Sequence, residues 1–562
     1  MPCTLARCAS LALLLFLALG SRAQSPDSTQ VVEMQAPEED EAAALSAGAF
    51  EPPADWHLRF DSTAGLWGAN VVAAYDLVAD RAPLDTILVA VIDSGIDIVH
   101  EDLDDVIWVN PAEVRNGLDD DGNGYADDLH GWNFIGGPDS THVEFDTYEV
   151  TRLYAQLLPR FENVPATDVA PADSADYALY LDVRARFEAD AAEARQFYTQ
   201  LQNIEALFDQ ALMPIRKYIG EDEVSDADLE ALRDSAMPLP AEVQQGLSML
   251  DFLAESGITP TDLTEALDAY GGQIEYGYNL DYDPRGIVGD DYADASERVY
   301  GNADVYGPAA DHGTHVAGII AAERLNGLGI AGVAAPVEIM VLRTVPDGDE
   351  RDKDVANAIR YAVDNGARVV NMSFGKGFSP QKDAVDEAVR YAEERGVLLV
   401  HAAGNSAKDL DTTPNFPTRR YLDGTEASNW ITVGASSWEG GARLAAEFSN
   451  YGQTTVDLFA PGVAITSTMP ESTYDESDGT SMAAPVVAGA AALLLAYAPD
   501  LTPQEVRRIL MDTATPFADL QVEKPSDFFA ESGPRYVPFG TLSVSGGLLN
   551  VAAALEAVLA RE

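Results

Sequence analysis

A chain of 562 residues with 47% apolar and 8% aromatic content carries enough core-forming material for a large folded domain or several, which excludes a wholly disordered protein. Its 93 acidic against 34 basic side chains give a net charge of −59. Such a surface repels phosphate backbones and anionic lipid, so nucleic acid and acidic membranes are not expected partners; divalent cations and salt-rich surroundings are.

The first 23 residues read as an export signal. Arg7 precedes the apolar run Leu11 to Gly20, and Ser21-Arg22-Ala23 offers small residues at a cleavage site after Ala23. Cleavage would remove Cys3 and Cys8, the only two cysteines, so the exported chain has no disulfide and no thiolate nucleophile. A secreted, periplasmic or cell-surface location follows. Residues 24–55, rich in Asp, Glu, Pro, Ser and Ala, read as an acidic linker or short pro-segment.

From Trp56 the pattern is that of a folded domain. Ile87 to Ile92 is a short, continuous, branched apolar run, as in a parallel strand buried on both faces. Comparable runs lie at 339–342, 369–372, 397–400 and 430–433, with helical patterns at 354–365 and 382–395. Strands alternating with helices predict an α/β fold, a doubly wound, mostly parallel sheet flanked by helices. Residues 148–275 interrupt this alternation. Phe187, Ala191, Ala194, Tyr198, Leu201 and Phe208 recur at helical spacing, and helix starts are expected at Ser225 with Asp228 and at Thr261-Asp262. The expected organisation is a domain split into 56–147 and 276–562 by an inserted all-α subdomain at 148–275, whose apolar stripe is its own core. Met482 to Ala498 is apolar almost throughout, yet it is short for a bilayer and holds Pro485 and Gly489. A buried helix, with no membrane insertion, is expected.

Three separated segments carry chemistry. Val91-Ile92-Asp93-Ser94-Gly95 puts a carboxylate at a strand end, and Asp311-His312-Gly313-Thr314-His315 puts imidazoles at a helix start. Gly479-Thr480-Ser481-Met482-Ala483 puts a hydroxyl before a helix of small residues. A serine needs a base to become a nucleophile, and the base needs a carboxylate to fix its tautomer. An esterase of the α/β-hydrolase kind would need Gly-x-Ser-x-Gly, which the Ser481 segment lacks.

These segments, in the order Asp, His, Ser, resemble those of the subtilisin-like serine peptidases, over roughly residues 56–147 and 276–555. The resemblance implies a secreted endopeptidase working through an acyl-enzyme on extended peptide or protein substrates. Asp93 would orient His312, His312 would act as base and then acid, and Ser481 would attack. His315 matches a structural neighbour, and His57, His100, His130, His142 and His401 receive no role. Ala403-Gly404-Asn405 resembles the oxyanion segment, with Asn405 donating beside the Ser481 N–H. Ser373-Phe374-Gly375, with Ala403 and Gly404, resembles the surface that pairs with substrate. The separation of Asp93 from His312 exceeds that in compact members, and the inserted helices are expected at the cleft rim. A non-catalytic acidic scaffold keeping the fold is the competing class, and the presence of all four residues argues against it.

Calcium is the expected structural cofactor, with none needed for the chemistry. The run Asp119 to Asp128 alternates oxygen-bearing side chains with glycines, so Asp119, Asp121, Asn123, the Tyr125 carbonyl and a carboxylate at Asp127 or Asp128 could wrap one ion. His130 stands where an EF-hand would have its glutamate. By resemblance, Asp102 and Asn326 match a second family calcium site. A monomer is the favoured state.

Overall fold

The computed structural model describes residues 52–255, 259–526 and 535–561, so the signal segment and most of the acidic linker lie outside the described residues. Nine strands form one sheet: β1 (Ile87–Asp93), β2 (Gly131–Asn133), β3 (Val337–Arg343), β4 (Val369–Met372), β5 (Leu398–Ala402), β6 (Trp430–Ser436), β7 (Leu458–Pro461), β8 (Thr515–Pro516) and β9 (Gly547–Leu548). Their spatial order is β8-β9-β7-β6-β5-β4-β1-β3-β2, and every pair is parallel except β8 with β9. The fold is therefore the expected doubly wound α/β architecture. The chain leaves β1 for β3 on one side and for β4 on the other. Such a reversal opens a crevice at the carboxyl ends of the strands, and Asp93 is the last residue of β1.

The alternation within β1 explains its unbroken apolar run. Ile87, Val89 and Val91 enter one core with the helices Asp311–Ala321 and Thr480–Tyr497, while Ala90 and Ile92 enter a second core with the helix Asp352–Asp364. Neither face meets water, so both must be apolar. The Thr480–Tyr497 helix has the length and apolarity of a membrane span, but 94% of it is buried inside the fold.

Clustering by contact makes residues 188–275 one compact unit and residues 53–187 with 276–562 another. The helical unit contains Asp226–Arg233, Ala241–Glu255 and Pro260–Gly272 together with the later part of Ser174–Ile219. Leu201, Ile204, Phe208, Ala211 and Ile215 pack there with Leu247, Leu250, Leu253 and Leu263. The capping box at Ser225 and Asp228 is present. The helix Pro260–Gly272 starts two residues earlier than expected: Thr259 caps it, its hydroxyl accepting from Asp262 N–H, and Pro260 takes the first helical position, where a missing N–H costs nothing.

The segment from 148 to 187 sits with the larger unit, unlike the expected boundary. Val150, Leu153, Tyr154, Leu157 and Phe161 of the helix Glu149–Phe161 pack with Tyr180, Val183 and Phe187. Phe187 thus belongs to a different core from Leu201 and Phe208, although helical spacing alone places all three on one stripe.

Candidate active site

Asp93 is almost fully buried, and one of its oxygens, Oδ1, accepts from the Ser94 N–H at 2.8 Å and faces His312 Nδ1 at 2.7 Å. That contact fixes the tautomer with the proton on Nδ1 and leaves Nε2 as the free acceptor. The His312 side chain is about one-third exposed, so it borders solvent while its carboxylate partner does not. The approach is close. A Cβ at Gly313 would lie 2.1 Å from the Gly95 carbonyl, so only glycine lets the His312 helix seat against the end of β1. Arg343, paired in register with Asp93, donates from Nε to the Ser94 carbonyl at 2.7 Å. Burial pulls its guanidinium down to about 10, and the contact holds the turn that presents Asp93.

Ser481 is the second residue of the Thr480–Tyr497 helix and the partly exposed one in an otherwise buried first turn. Its hydroxyl donates to the Ser373 carbonyl at 3.1 Å, while the Ser373 hydroxyl donates to the Ser481 carbonyl at 2.9 Å. These two bonds tie the nucleophile candidate to the residue that follows β4. Beyond it, the Phe374 carbonyl accepts from His401 Nε2, and Gly375 lies against the Asn415 amide, 2.4 Å from where a Cβ would stand.

Asn405 is oriented by Thr480, which the sequence did not flag. Its Oδ1 accepts from the Thr480 N–H at 2.9 Å and from Thr480 Oγ1 at 2.8 Å, and the same Oγ1 accepts from the Gly404 N–H. The amide nitrogen is thereby turned the other way. A point at the ideal Cβ position of Gly479 lies 3.4 Å from both Asn405 Nδ2 and the Ser481 backbone N. Both nitrogens therefore lie close to the Gly479 turn. The carbonyl of Ala403 is taken by the amides of Asn415 and Asn450, so Ala403 and Gly404 shape the wall more than they offer free acceptors.

Of the residues expected to bind metal, Asp121 and Asp128 come together, with Glu113 as a third carboxylate that sequence reasoning missed; one oxygen from each lies within 4.8 Å of the others. Asn123 and Asn110 donate to the same carboxylates. Asp119 instead accepts from the N–H groups of Gly122, Asn123 and Gly124, shaping the loop. Burial pushes the Asp128 carboxyl up, and Asp121 adds to the effect. An all-oxygen set of three acidic groups suits a hard cation such as Ca²⁺. Asp102 and Asn326 also meet, with Asn326 Nδ2 donating to Asp102 Oδ1 at 2.7 Å, and the Ile330 N–H and Tyr474 hydroxyl taking the other oxygen.

The model of the Subtilase family matches residues 85–530. This chain belongs to the subtilase family of serine peptidases. The subtilase is 42% identical over 205 residues to the thermophilic serine proteinase of Bacillus sp. (strain AK1), across 36% of this chain and 47% of the relative. It is 40% identical over 206 residues to subtilisin BL of Lederbergia lenta, across 36% of this chain and 70% of that one. Against thermitase of Thermoactinomyces vulgaris it is 42% identical over 184 residues, covering 33% of this chain and 60% of the relative. The chain therefore spans from about half to rather more than two thirds of these relatives' lengths.

Among the described residues, four histidines lie buried outside this constellation, His57, His100, His315 and His401, and burial shifts three of them. His315 donates to the carbonyls of Ile465 and Asp475, and burial draws it down to about 3. His401 is drawn to about 4 in the same way. His57 is also drawn to about 4, its burial outweighing the Asp55 charge and the Ala54 backbone contact that favour the proton. Its folded pKa is below the unfolded value of about 6.5. The unfolded state therefore binds the proton first, and stability present above pH 6.5 is lost as pH falls towards 4. Between pH 7 and pH 5 this one group should cost about 2 kcal/mol. His57→Phe is expected to remove that share, which denaturant unfolding of both proteins at the two pH values checks. An unchanged difference would show that His57 does not titrate as burial dictates.

Proposed function

We propose that this chain is an exported endopeptidase that cleaves extended segments of protein substrates, with Asp93, His312 and Ser481 as its triad. The observation that carries this reading is the 2.7 Å contact of His312 Nδ1 with the buried Asp93; Ser481 is held to Ser373 at the start of its own helix. A rotation of the Ser481 side chain off the Ser373 carbonyl turns its hydroxyl to His312 Nε2. His312 accepts the proton as Ser481 Oγ attacks the scissile carbonyl, and Asp93 stabilises the imidazolium through the Nδ1–H. The Asn405 Nδ2–H and the Ser481 backbone N–H receive the oxyanion. His312 then returns the proton to the leaving amine, and water attacks the acyl-enzyme by the same route in reverse. The stretch Ser373 to Gly375 supports main-chain pairing with the substrate, which makes few demands on sequence. The test is hydrolysis of casein by the full chain in calcium and salt, compared with Ser481→Ala.

Calcium fits Glu113, Asp121 and Asp128, with Asn123 and Asn110 nearby, and would supply structural stabilisation and no step of the reaction. Loading at a hundredfold over the dissociation constant should raise the thermal midpoint by roughly 3 °C, since that occupancy is worth about 2.7 kcal/mol and the unfolding entropy of so long a chain makes 1 kcal/mol worth about 1 °C. Glu113→Gln should remove most of this difference between calcium and chelator in a thermal melt. A variant that keeps the whole shift would move the ion elsewhere. Residues 1–23 support export, and a monomer is the favoured state.

A further inference from the structure

We propose that Lys376 is a positioning residue for the substrate-binding edge, and that the helix Glu149–Phe161, in the segment between Asp93 and His312, is thereby part of the substrate wall. The proposal rests on the endopeptidase reading and goes beyond it in naming what holds that edge. Lys376 follows Gly375 directly, and its side chain is 1% exposed. Its ammonium spends all three donors inside the protein: on Glu149 Oε2 at 2.9 Å, Asp352 Oδ1 at 2.8 Å and the Glu350 carbonyl at 2.7 Å. A lysine with no access to water persists only where such partners replace its hydration.

The anchor acts at both ends of the edge. The Lys376 N–H donates to the Phe416 carbonyl at 3.0 Å and the Phe416 N–H returns the bond at 2.8 Å, which joins the edge to the loop facing it. Three residues back, Ser373 is bonded in both directions to Ser481. Two residues on, Phe378 packs with the cluster containing Leu153 and Phe187, and the Arg186 guanidinium lies over its ring. The far partners are fixed in turn. Glu149 opens its helix with its N–H on Asp349 Oδ2 at 2.8 Å and its carboxylate on Arg152. Asp352 opens the helix Asp352–Asp364 and also takes the Gln381 N–H, beyond the edge. Against burial, which alone raises it, Lys376 and Arg152 hold the Glu149 carboxyl down to about 2. The edge is stapled to two helix starts through one ammonium.

This arrangement predicts a split by substrate length. An extended peptide uses the edge as a partner strand, whereas a single-residue ester reaches Ser481 without it. Lys376→Met and Glu149→Gln are the variants to compare, each assayed with a blocked tetrapeptide anilide and an N-acetyl amino-acid ester after active-site titration with a serine-directed phosphonate. In Lys376→Met, KM for the tetrapeptide should rise about 30-fold, the worth of two main-chain hydrogen bonds, while ester turnover stays within about twofold. Glu149→Gln keeps the shape and one acceptor, so it should fold even if Lys376→Met were to fail to. It should give the same split at about a tenth of the size. Equal losses on both substrates, or none on either, would overturn the positioning role. A wild type inactive on both substrates would instead overturn the endopeptidase reading, and this one with it.

Discussion

Ser481→Ala is expected to reduce casein hydrolysis by about 10⁶ in kcat, the loss measured for removal of the nucleophile in subtilisin itself. The fold should survive the change. Ser481 is the partly exposed residue of its helix's buried first turn, and its hydroxyl donates one internal bond, to the Ser373 carbonyl. Removing a hydrogen bond of that kind costs about 1 kcal/mol. The circular dichroism and thermal midpoint of the variant should therefore match the wild type closely. His312→Ala should lose about as much, and the double variant no more than either, because nucleophile and base act as one unit. The residual rate would come from substrate binding and the oxyanion donors alone. Hydrolysis that persists in a highly purified Ser481→Ala preparation would remove Ser481 from the chemistry.

The proposed triad could be picked out in the sequence because each member sits in a short local pattern at the end of an element. Asp93 closes a run that must be apolar on both faces, His312 opens a helix with Gly313 beside it, and Ser481 opens the most buried helix. Such signals need no knowledge of distant neighbours. The sheet's centre was legible for the same reason, while β2, β8 and β9, of two or three residues each, lack the length for a periodic signal. What escaped were relations across the chain. Glu113 joins Asp121 and Asp128 through chain reversal, with its carboxylate accepting from the N–H groups of Asp120, Asp121 and Asp127. The helical stripe from Phe187 to Phe208 has one period but two destinations, which places the observed boundary near 188 and not at 148. Lys376 was the least readable, since a lysine after a glycine normally marks solvent, and only the three acceptors around its ammonium say otherwise.

Asn405→Ala should lower kcat by about 10²–10³ with KM little changed, as the removal of an oxyanion side-chain donor does in subtilisin. The split follows from when the bond forms. In the proposed mechanism the Asn405 amide donates to an oxygen whose charge develops only as the carbonyl becomes tetrahedral, so the ground state gains little. Two further substitutions separate donation from mere occupancy. Asn405→Asp keeps the shape and can still accept from the Thr480 N–H and hydroxyl, but it sets an acceptor where the donor stood. It should be worse than Asn405→Ala, because a carboxylate repels the developing charge instead of leaving a gap that water can fill. Thr480→Val leaves the donor in place and removes one of the two bonds that aim it, so its loss should be smaller, about tenfold. The order Thr480→Val, Asn405→Ala, Asn405→Asp, from mildest to most severe, is what orientation plus charge demands. If Asn405→Asp were instead as active as the wild type, the side chain would be filling space rather than donating, and the oxyanion would have to be held by backbone N–H groups.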